Sequence, residues 1–184
     1  MAGTELILGG QRSGKSRCAE QRAAAWLRKP GHSAMLVATA LGHDDEMRER
    51  IARHRADRAP GLQTEEVPHD LPDALRRLSA PQRLLVVDCL TLWATNLLMP
   101  LGASGLGDAA WQFRVDELCA AIERAAGPVV LVSNEIGLGV SPLSPEARRF
   151  IDELGRMHQA VAARCEAVTL MVAGIEMPVK RRVA

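Results

Sequence analysis

Tyrosine is absent from the 184 residues, and aromatic residues make up only 3% of them. Few flat side chains are left on which single-stranded nucleic acid could stack. An excess of one charge is missing too: 23 Lys and Arg stand against 22 Asp and Glu, a formal net charge of +1. No global field draws the chain to nucleic acid or to an anionic membrane, so any phosphate binding has to be local. The four cysteines, Cys18, Cys89, Cys119 and Cys165, form no CxxC pair, and the start of the chain lacks a signal-peptide pattern. Both absences point to a reducing cytoplasm, with the thiols as small core fillers. Apolar runs such as residues 84–87 and 129–132 fall far short of the ~20 residues that cross a bilayer, so no membrane span is expected. What is present, 47% hydrophobic residues, suffices for the core of one domain, expected over residues 1–184.

Short β-type runs alternate with longer helical stretches. Residues 5–8, 35–38, 84–87, 129–133 and 167–172 read as strands, and residues 15–28, 44–58, 72–78, 111–126 and 145–165 as helices. This alternation predicts an α/β fold with a mostly parallel sheet. Runs that are apolar at consecutive positions predict helices on both faces, hence three layers. Asp44 and Asp70 suit N-caps, Ser144 precedes Pro145 at a first helical position, and Gly127-Pro128 ends the long helix before the next strand. Residues 100–108, with Gly102, Gly105 and Gly107, read as a loop.

Directly after the first strand comes Gly9-Gly10-Gln11-Arg12-Ser13-Gly14-Lys15-Ser16, which matches GxxxxGK followed by Ser or Thr at every fixed position and opens a helix. Glycines let the backbone curl so that successive N–H groups point at a phosphate chain, and the helix N-terminus adds its positive dipole end. Lys15 reaches the β- and γ-phosphates, and the Ser16 hydroxyl suits Mg²⁺, a hard cation that takes oxygen ligands. Asp88 ends the buried run at residues 84–87 and has the form of a second, acidic metal-binding element. The same aspartate also suits the N-cap of a helix around residues 91–98, and both roles can coexist.

In the expected helix over residues 44–58, Met47, Ile51, His54 and Arg58 share one face. Arg53, Arg55 and Arg58 surround His54 and, at a solvated site, hold its imidazole neutral, which is the form that attacks phosphorus. Composition alone leaves a second reading open, a surface histidine among arginines with no role. His32, His43, His69 and His158 form no ligand pattern.

Taken together, GGQRSGKSRCAE at residues 9–20, LGHDDEMRERIARHRADR at 41–58, TEEVP at 64–68, VDCLTLWATNLL at 87–98 and SNEIGLGVSP at 133–142 resemble the bifunctional adenosylcobinamide kinase and adenosylcobinamide-phosphate guanylyltransferase family. The resemblance covers nearly the whole chain. A phosphate loop alone names only a superfamily; RIxxHRxxR, DCLTLWxTNLL and SNExGxG in that order are much more specific. The resemblance implies a RecA-like P-loop NTPase fold assembled as a homotrimer, with Mg²⁺ as cofactor and GTP and ATP as substrates. It implies two steps: phosphorylation of adenosylcobinamide, then transfer of GMP from GTP to adenosylcobinamide phosphate through a covalent GMP-histidine. The histidine that matches is His54.

The same resemblance places nucleotide contacts on Gly9, Gly10, Gln11, Arg12, Ser13, Gly14, Lys15 and Ser16, on Thr39, Ala40 and Leu41, on Arg55, Ala56, Asp57 and Arg58, on Glu66 and on Asp88, with Ser16 and Asp88 at the metal. Asn134 and Glu135 fall where an open α/β sheet puts its active edge, without an assigned role. Where the family usually reads Arg-Pro shortly after the histidine and then Trp, this chain has Arg58-Ala59-Pro60 and Leu62. Two other functions fit part of the pattern: a monofunctional small-molecule kinase, for which the P-loop and Asp88 suffice, and a nucleotide-gated assembly module of the same fold.

Overall fold

The computed structural model describes residues 3–41 and 61–181, among which seven strands form one sheet. In chain order the described elements are β1 (Thr4–Gly9), α1 (Lys15–Leu27), β2 (Ser33–Ala38), β3 (Leu62–Glu66), α2 (Leu71–Leu78), β4 (Arg83–Asp88), α3 (Leu90–Leu98), α4 (Asp108–Glu123), β5 (Val129–Asn134), α5 (Pro145–Arg164), β6 (Ala167–Val172) and β7 (Ile175–Lys180). Across the sheet the order is β3-β2-β4-β5-β1-β6-β7. Every pairing from β3 to β6 is parallel, and β7 alone returns antiparallel along β6.

Helices cover both faces, as the consecutive apolar runs require. Successive strand residues point to opposite sides of a sheet. Leu84 and Val86 accordingly pack with Cys18, Ala19, Ala23 and Trp26 of α1, while Leu85 and Val87 pack with Leu75, Leu90, Trp93 and Leu118 from the helices of the other layer. Burying each Leu or Val among them stabilises the fold by about 1.5–3 kcal/mol. Trp93 and Trp111 lie in that second layer with ring centroids 5.4 Å apart, and the Trp93 indole N–H donates to the His69 carbonyl at 2.8 Å. All four cysteines are free and buried. Burial pushes the Cys18, Cys89 and Cys165 thiols up to about 12, which keeps them protonated and inert.

Several local expectations are altered by tertiary context. Asp70 stands at the N-cap position of α2 without capping it; its carboxylate instead accepts from Arg114 Nη2 at 3.2 Å. Ser144 does cap α5, accepting from the Ala147 N–H at 3.1 Å. Helix α4 begins at Asp108 and ends at Glu123, so Gly127 is not its stop signal. A Cβ on Gly127 would lie 2.0 Å from the Ala80 carbonyl oxygen, so the glycine there serves a close backbone approach. Strands β3 and β7 carry no continuous apolar run because they are the two sheet edges. The helix expected over residues 44–58 lies outside the described residues. No described helix is long and apolar enough to cross a membrane.

Candidate active site

A parallel sheet gathers the carboxyl ends of its strands along one edge, where open α/β folds bind ligands. Here Glu66 of β3 is in register with Ala38 of β2, and Ala38 with Asp88 of β4. Asp88 is in turn opposite Val132 of β5, and Asn134 opposite Gly9 of β1. The phosphate loop, residues 39–41, Glu66, Asp88 and residues 134–135 therefore all stand at one edge. His54, Arg55, Ala56, Asp57 and Arg58 lie outside the described residues.

The loop is shaped by contacts that require its glycines. A Cβ on Gly9 would lie 2.5 Å from the Met171 carbonyl oxygen and 2.6 Å from Ser13 Oγ. Gly14, with φ +100°, occupies left-handed backbone and is the N-cap of α1. No side chain caps this helix and no acidic residue stands in its first turn, so the helix dipole faces the loop unopposed. The Lys15 ammonium folds back across the loop to donate to the Gly10 carbonyl at 2.6 Å, and the residue is only 7% exposed. Ser13 Oγ is buried without a hydrogen-bond partner, alone in this among the described residues. The tip of the β6–β7 hairpin closes the far side. Ala173 and Gly174, at φ 51° and 81°, make the two-residue turn that suits twisted strands, and the Gly174 N–H donates to the Ser13 carbonyl at 3.0 Å.

The backbone of Cys89 and the Asn96 side chain of α3 tie the other strand ends to this edge. Thr39 is fully buried; its hydroxyl donates to the Cys89 carbonyl at 2.7 Å and accepts from the Cys89 N–H at 2.9 Å. Asn96 Nδ2 donates to the Thr39 and Pro68 carbonyls, both at 2.9 Å, joining the ends of β2 and β3. Ala40 and Leu41 follow at intermediate burial, and Glu66 is exposed.

A polar chain that residue spacing does not reveal lies behind β5. The Asn134 N–H donates to Thr91 Oγ1 at 2.7 Å, Thr91 Oγ1 and Ser133 Oγ are 2.9 Å apart, and Ser133 Oγ is 2.7 Å from His158 Nε2. Beyond the imidazole, Nδ1 is 3.9 Å from Glu135 Oε2. Glu135 Oε1 accepts from the Gly137 N–H at 2.7 Å, and the Glu135 N–H donates to the Gly9 carbonyl at 2.9 Å. Burial lowers the pKa of His158, with Glu135 opposing the shift, so the ring is neutral near pH 7. Two sequence signals were available: Ser133 follows directly on four apolar residues of β5, and His158 shares a buried helix face with Leu154, Met157 and Val161.

The donor set at this edge suits Mg²⁺. Ser16 offers a hydroxyl and Asp88 a carboxylate, both oxygen donors at intermediate burial. Mg²⁺ is characteristically held by one or two protein oxygens, the remaining positions going to substrate phosphates and water.

Sheet order, phosphate loop and acidic strand end together define a P-loop NTPase fold of the RecA-like type. The flagellar accessory protein FlaH from Methanocaldococcus jannaschii shares the fold with a TM-score of 0.55 at 15% identity, the match covering 98% of this chain and 79% of that one. A solved protein from Pyrococcus horikoshii OT3 aligns with a TM-score of 0.54 at 9% identity, covering 97% and 86%. In sequence, residues 5–179 match the family described as cobinamide kinase / cobinamide phosphate guanyltransferase. The bifunctional adenosylcobalamin biosynthesis protein CobP of Pseudomonas aeruginosa is 47% identical over 179 residues, 96% of each chain. The corresponding CobU of Salmonella typhimurium is 36% identical over 183 residues, 95% of this chain and 98% of that one. The chain belongs to the cobinamide kinase / cobinamide phosphate guanyltransferase family, and it is an enzyme that joins a kinase and a guanyltransferase activity.

Proposed function

We propose that both activities use the one nucleotide pocket at the carboxyl edge, with adenosylcobinamide and then adenosylcobinamide phosphate as acceptors. In the kinase step Lys15 and the loop N–H groups hold the triphosphate of ATP or GTP, whose γ-phosphoryl group passes to the hydroxyl of the corrinoid's aminopropanol arm. In the guanyltransferase step the neutral His54 imidazole attacks the α-phosphorus of GTP and displaces pyrophosphate, leaving a phosphoramidate-linked GMP. Adenosylcobinamide phosphate then takes the GMP to give adenosylcobinamide-GDP, one difficult displacement having been split into two easier ones.

Convergence carries this reading. The phosphate loop, residues 39–41, Glu66 and Asp88 meet at one edge, and Leu41 at that edge stands about a dozen residues before His54 in the sequence. We assign guanine-nucleotide contacts to the loop residues Gly9, Gly10, Gln11, Arg12, Ser13, Gly14, Lys15 and Ser16, to Ala40 and Leu41, to Arg55, Ala56, Asp57 and Arg58, and to Glu66. Asp88 belongs to the same set, whereas Thr39, expected among the nucleotide contacts, is placed one step back, holding Cys89 beside Asp88, because its side chain is fully buried with its hydroxyl bonded to Cys89. Ser16 and Asp88 would hold Mg²⁺, which when bound neutralises phosphate charge. A single domain, a homotrimeric assembly with the corrinoid in a cleft between subunits, and a cytoplasmic location complete the proposal.

Incubation with GTP labelled on the α-phosphate tests it. Acid-labile, base-stable label should remain on the protein and be absent from His54→Ala, and Lys15→Ala should lose both activities. An unlabelled protein that still forms adenosylcobinamide-GDP would refute the covalent route. Guanylylation at the normal rate in Lys15→Ala would refute the shared pocket.

A further inference from the structure

The polar chain behind β5 has a direction. A backbone N–H can only donate, so Thr91 Oγ1 accepts from Asn134. The arrangement that uses every remaining proton then runs one way: the Thr91 hydroxyl donates to Ser133 Oγ, and the Ser133 hydroxyl donates to His158 Nε2. With Nε2 accepting, the proton of the neutral imidazole sits on Nδ1, and Nδ1 faces the Glu135 carboxylate. The tautomer follows from the bonding network. A fixed main-chain donor, passed through two hydroxyls, thus aims an N–H at one carboxylate.

That carboxylate stands in a telling place. Strand β5 runs between β1, which leads into the phosphate loop, and β4, which ends at Asp88. Asp88 is in register with Val132, so Glu135 lies beyond it along the sheet edge, and its own N–H is bound to the first residue of the loop. A phosphate loop directs the terminal phosphate toward the space between its lysine and the acidic strand end. Glu135 emerges between those two strands with 24% of its side chain exposed, whereas His158 is buried.

We propose that Glu135 is the catalytic base of the kinase step and that His158 is its positioning residue. The attacking hydroxyl of the acceptor loses its proton to a Glu135 carboxylate oxygen as the new O–P bond forms at the γ-phosphorus. The bond from that phosphorus to the β,γ-bridging oxygen breaks, and its electron pair leaves with the nucleoside diphosphate. The carboxylic acid then returns its proton to water. The Nδ1–Oε2 separation of 3.9 Å exceeds a direct hydrogen bond, and unliganded catalytic contacts of this kind tighten on loading or are spanned by water. Glu135 Oε1 is already fixed by Gly137, so the histidine's task is to hold the second oxygen and set the carboxylate plane.

Three variants separate the roles, each assayed for γ-phosphoryl transfer to cobinamide and for covalent labelling by α-labelled GTP. Glu135→Gln removes the base and should lower the kinase kcat by roughly 10²–10³-fold, in the range for lost general-base catalysis. Its nucleotide KM should stay within about threefold and covalent labelling should fall far less than the kinase rate, since neither depends on the acceptor's proton. An amide at residue 158 then reports which ring nitrogen matters, because Asn places its NH₂ near Nδ1 whereas Gln places its amide near Nε2. His158→Asn should rescue the kinase to within about threefold, whereas His158→Gln, still able to bond Ser133, should lose roughly tenfold in kcat with KM little changed. A merely structural histidine predicts the reverse order or equal losses, either of which overturns the positioning role. An unchanged kcat in Glu135→Gln, or equal loss of both activities, overturns the base. The inference rests on the kinase half of the proposed function: absence of γ-transfer in the unsubstituted protein would refute that half itself, whereas absence of covalent label would refute the covalent guanyltransferase route and leave the kinase comparison to decide the roles of Glu135 and His158.

Discussion

Replacing Thr39 with valine exchanges one hydroxyl for a methyl, so a fully buried side chain keeps its shape and loses both bonds to Cys89. Valine can neither donate to the Cys89 carbonyl nor accept from its N–H, and Cys89 is itself buried. Each orphaned group costs about 1–3 kcal/mol, so the variant should lose about 3 kcal/mol in total. With a urea m-value of roughly 2 kcal/mol/M, the unfolding midpoint should drop by roughly 1.5 M. Thr39→Ser keeps both bonds and gives up a methyl, a cost of about 1 kcal/mol. Asp88 directly precedes Cys89, so kcat should fall in the valine variant, with nucleotide KM changing less than about threefold because the hydroxyl faces no ligand. A midpoint within about 0.3 M of the parent would refute the energetic argument. A nucleotide KM raised about tenfold at unchanged kcat would show that Thr39 touches the nucleotide itself.

Gly9→Ala should lose nucleotide affinity, read by calorimetry, and about 1–3 kcal/mol of stability, because its Cβ meets the Met171 carbonyl at 2.5 Å. Arg22 bonds Glu5 at 3.0 Å and Glu176 at 2.5 Å, and Thr169 also donates to Glu5. Arg22→Met should cost about 2–3 kcal/mol by leaving the largely buried Glu5 carboxylate uncompensated, and Glu5→Gln in the same chain should recover at least about 1 kcal/mol; strictly additive losses would discount the pair. For His158, the unfolded chain takes up a proton as pH falls through 6.5 while the folded ring, its pKa lowered by burial, resists. Stability is therefore fully present above 6.5 and declines as pH drops toward the folded value, by at most about 1.4 kcal/mol per pH unit. Denaturation midpoints across pH should show that decline in the parent and a shallower one in His158→Asn; parallel curves would contradict it.

Legibility in the sequence followed physical exposure. Residues 84–87 and 129–132 announced themselves as strands because helices bury both of their faces, leaving no position for a polar residue. Strand β3, with Gln63, Thr64, Glu65 and Glu66, lies at an edge and carries no such signature, and β7 includes Pro178 at the opposite edge, where an absent N–H is tolerated. The phosphate loop was readable in full because its spacing is dictated by backbone curvature. Residues 91, 133, 135 and 158 come from α3, β5, the loop after it and α5, and only folding brings them together. The Thr91, Trp93 and Asn96 signature, informative as a family mark, serves packing and bonding in this fold: Trp93 fills the core, and Asn96 bridges two strand ends.

The placement of β1 has a consequence for biosynthesis. Strand β1 is flanked by β5 and β6, which are made well after it, so as the nascent chain leaves the ribosome its nucleotide-gripping turn has no lateral support until those strands have been translated. The last brace, the Gly174 amide on the Ser13 carbonyl, arrives only with the closing hairpin. Fragments that stop before β6 should thus bind nucleotide poorly although every signature residue of the loop is intact, and a nascent-chain chaperone has a long interval in which an apolar strand lies open to it.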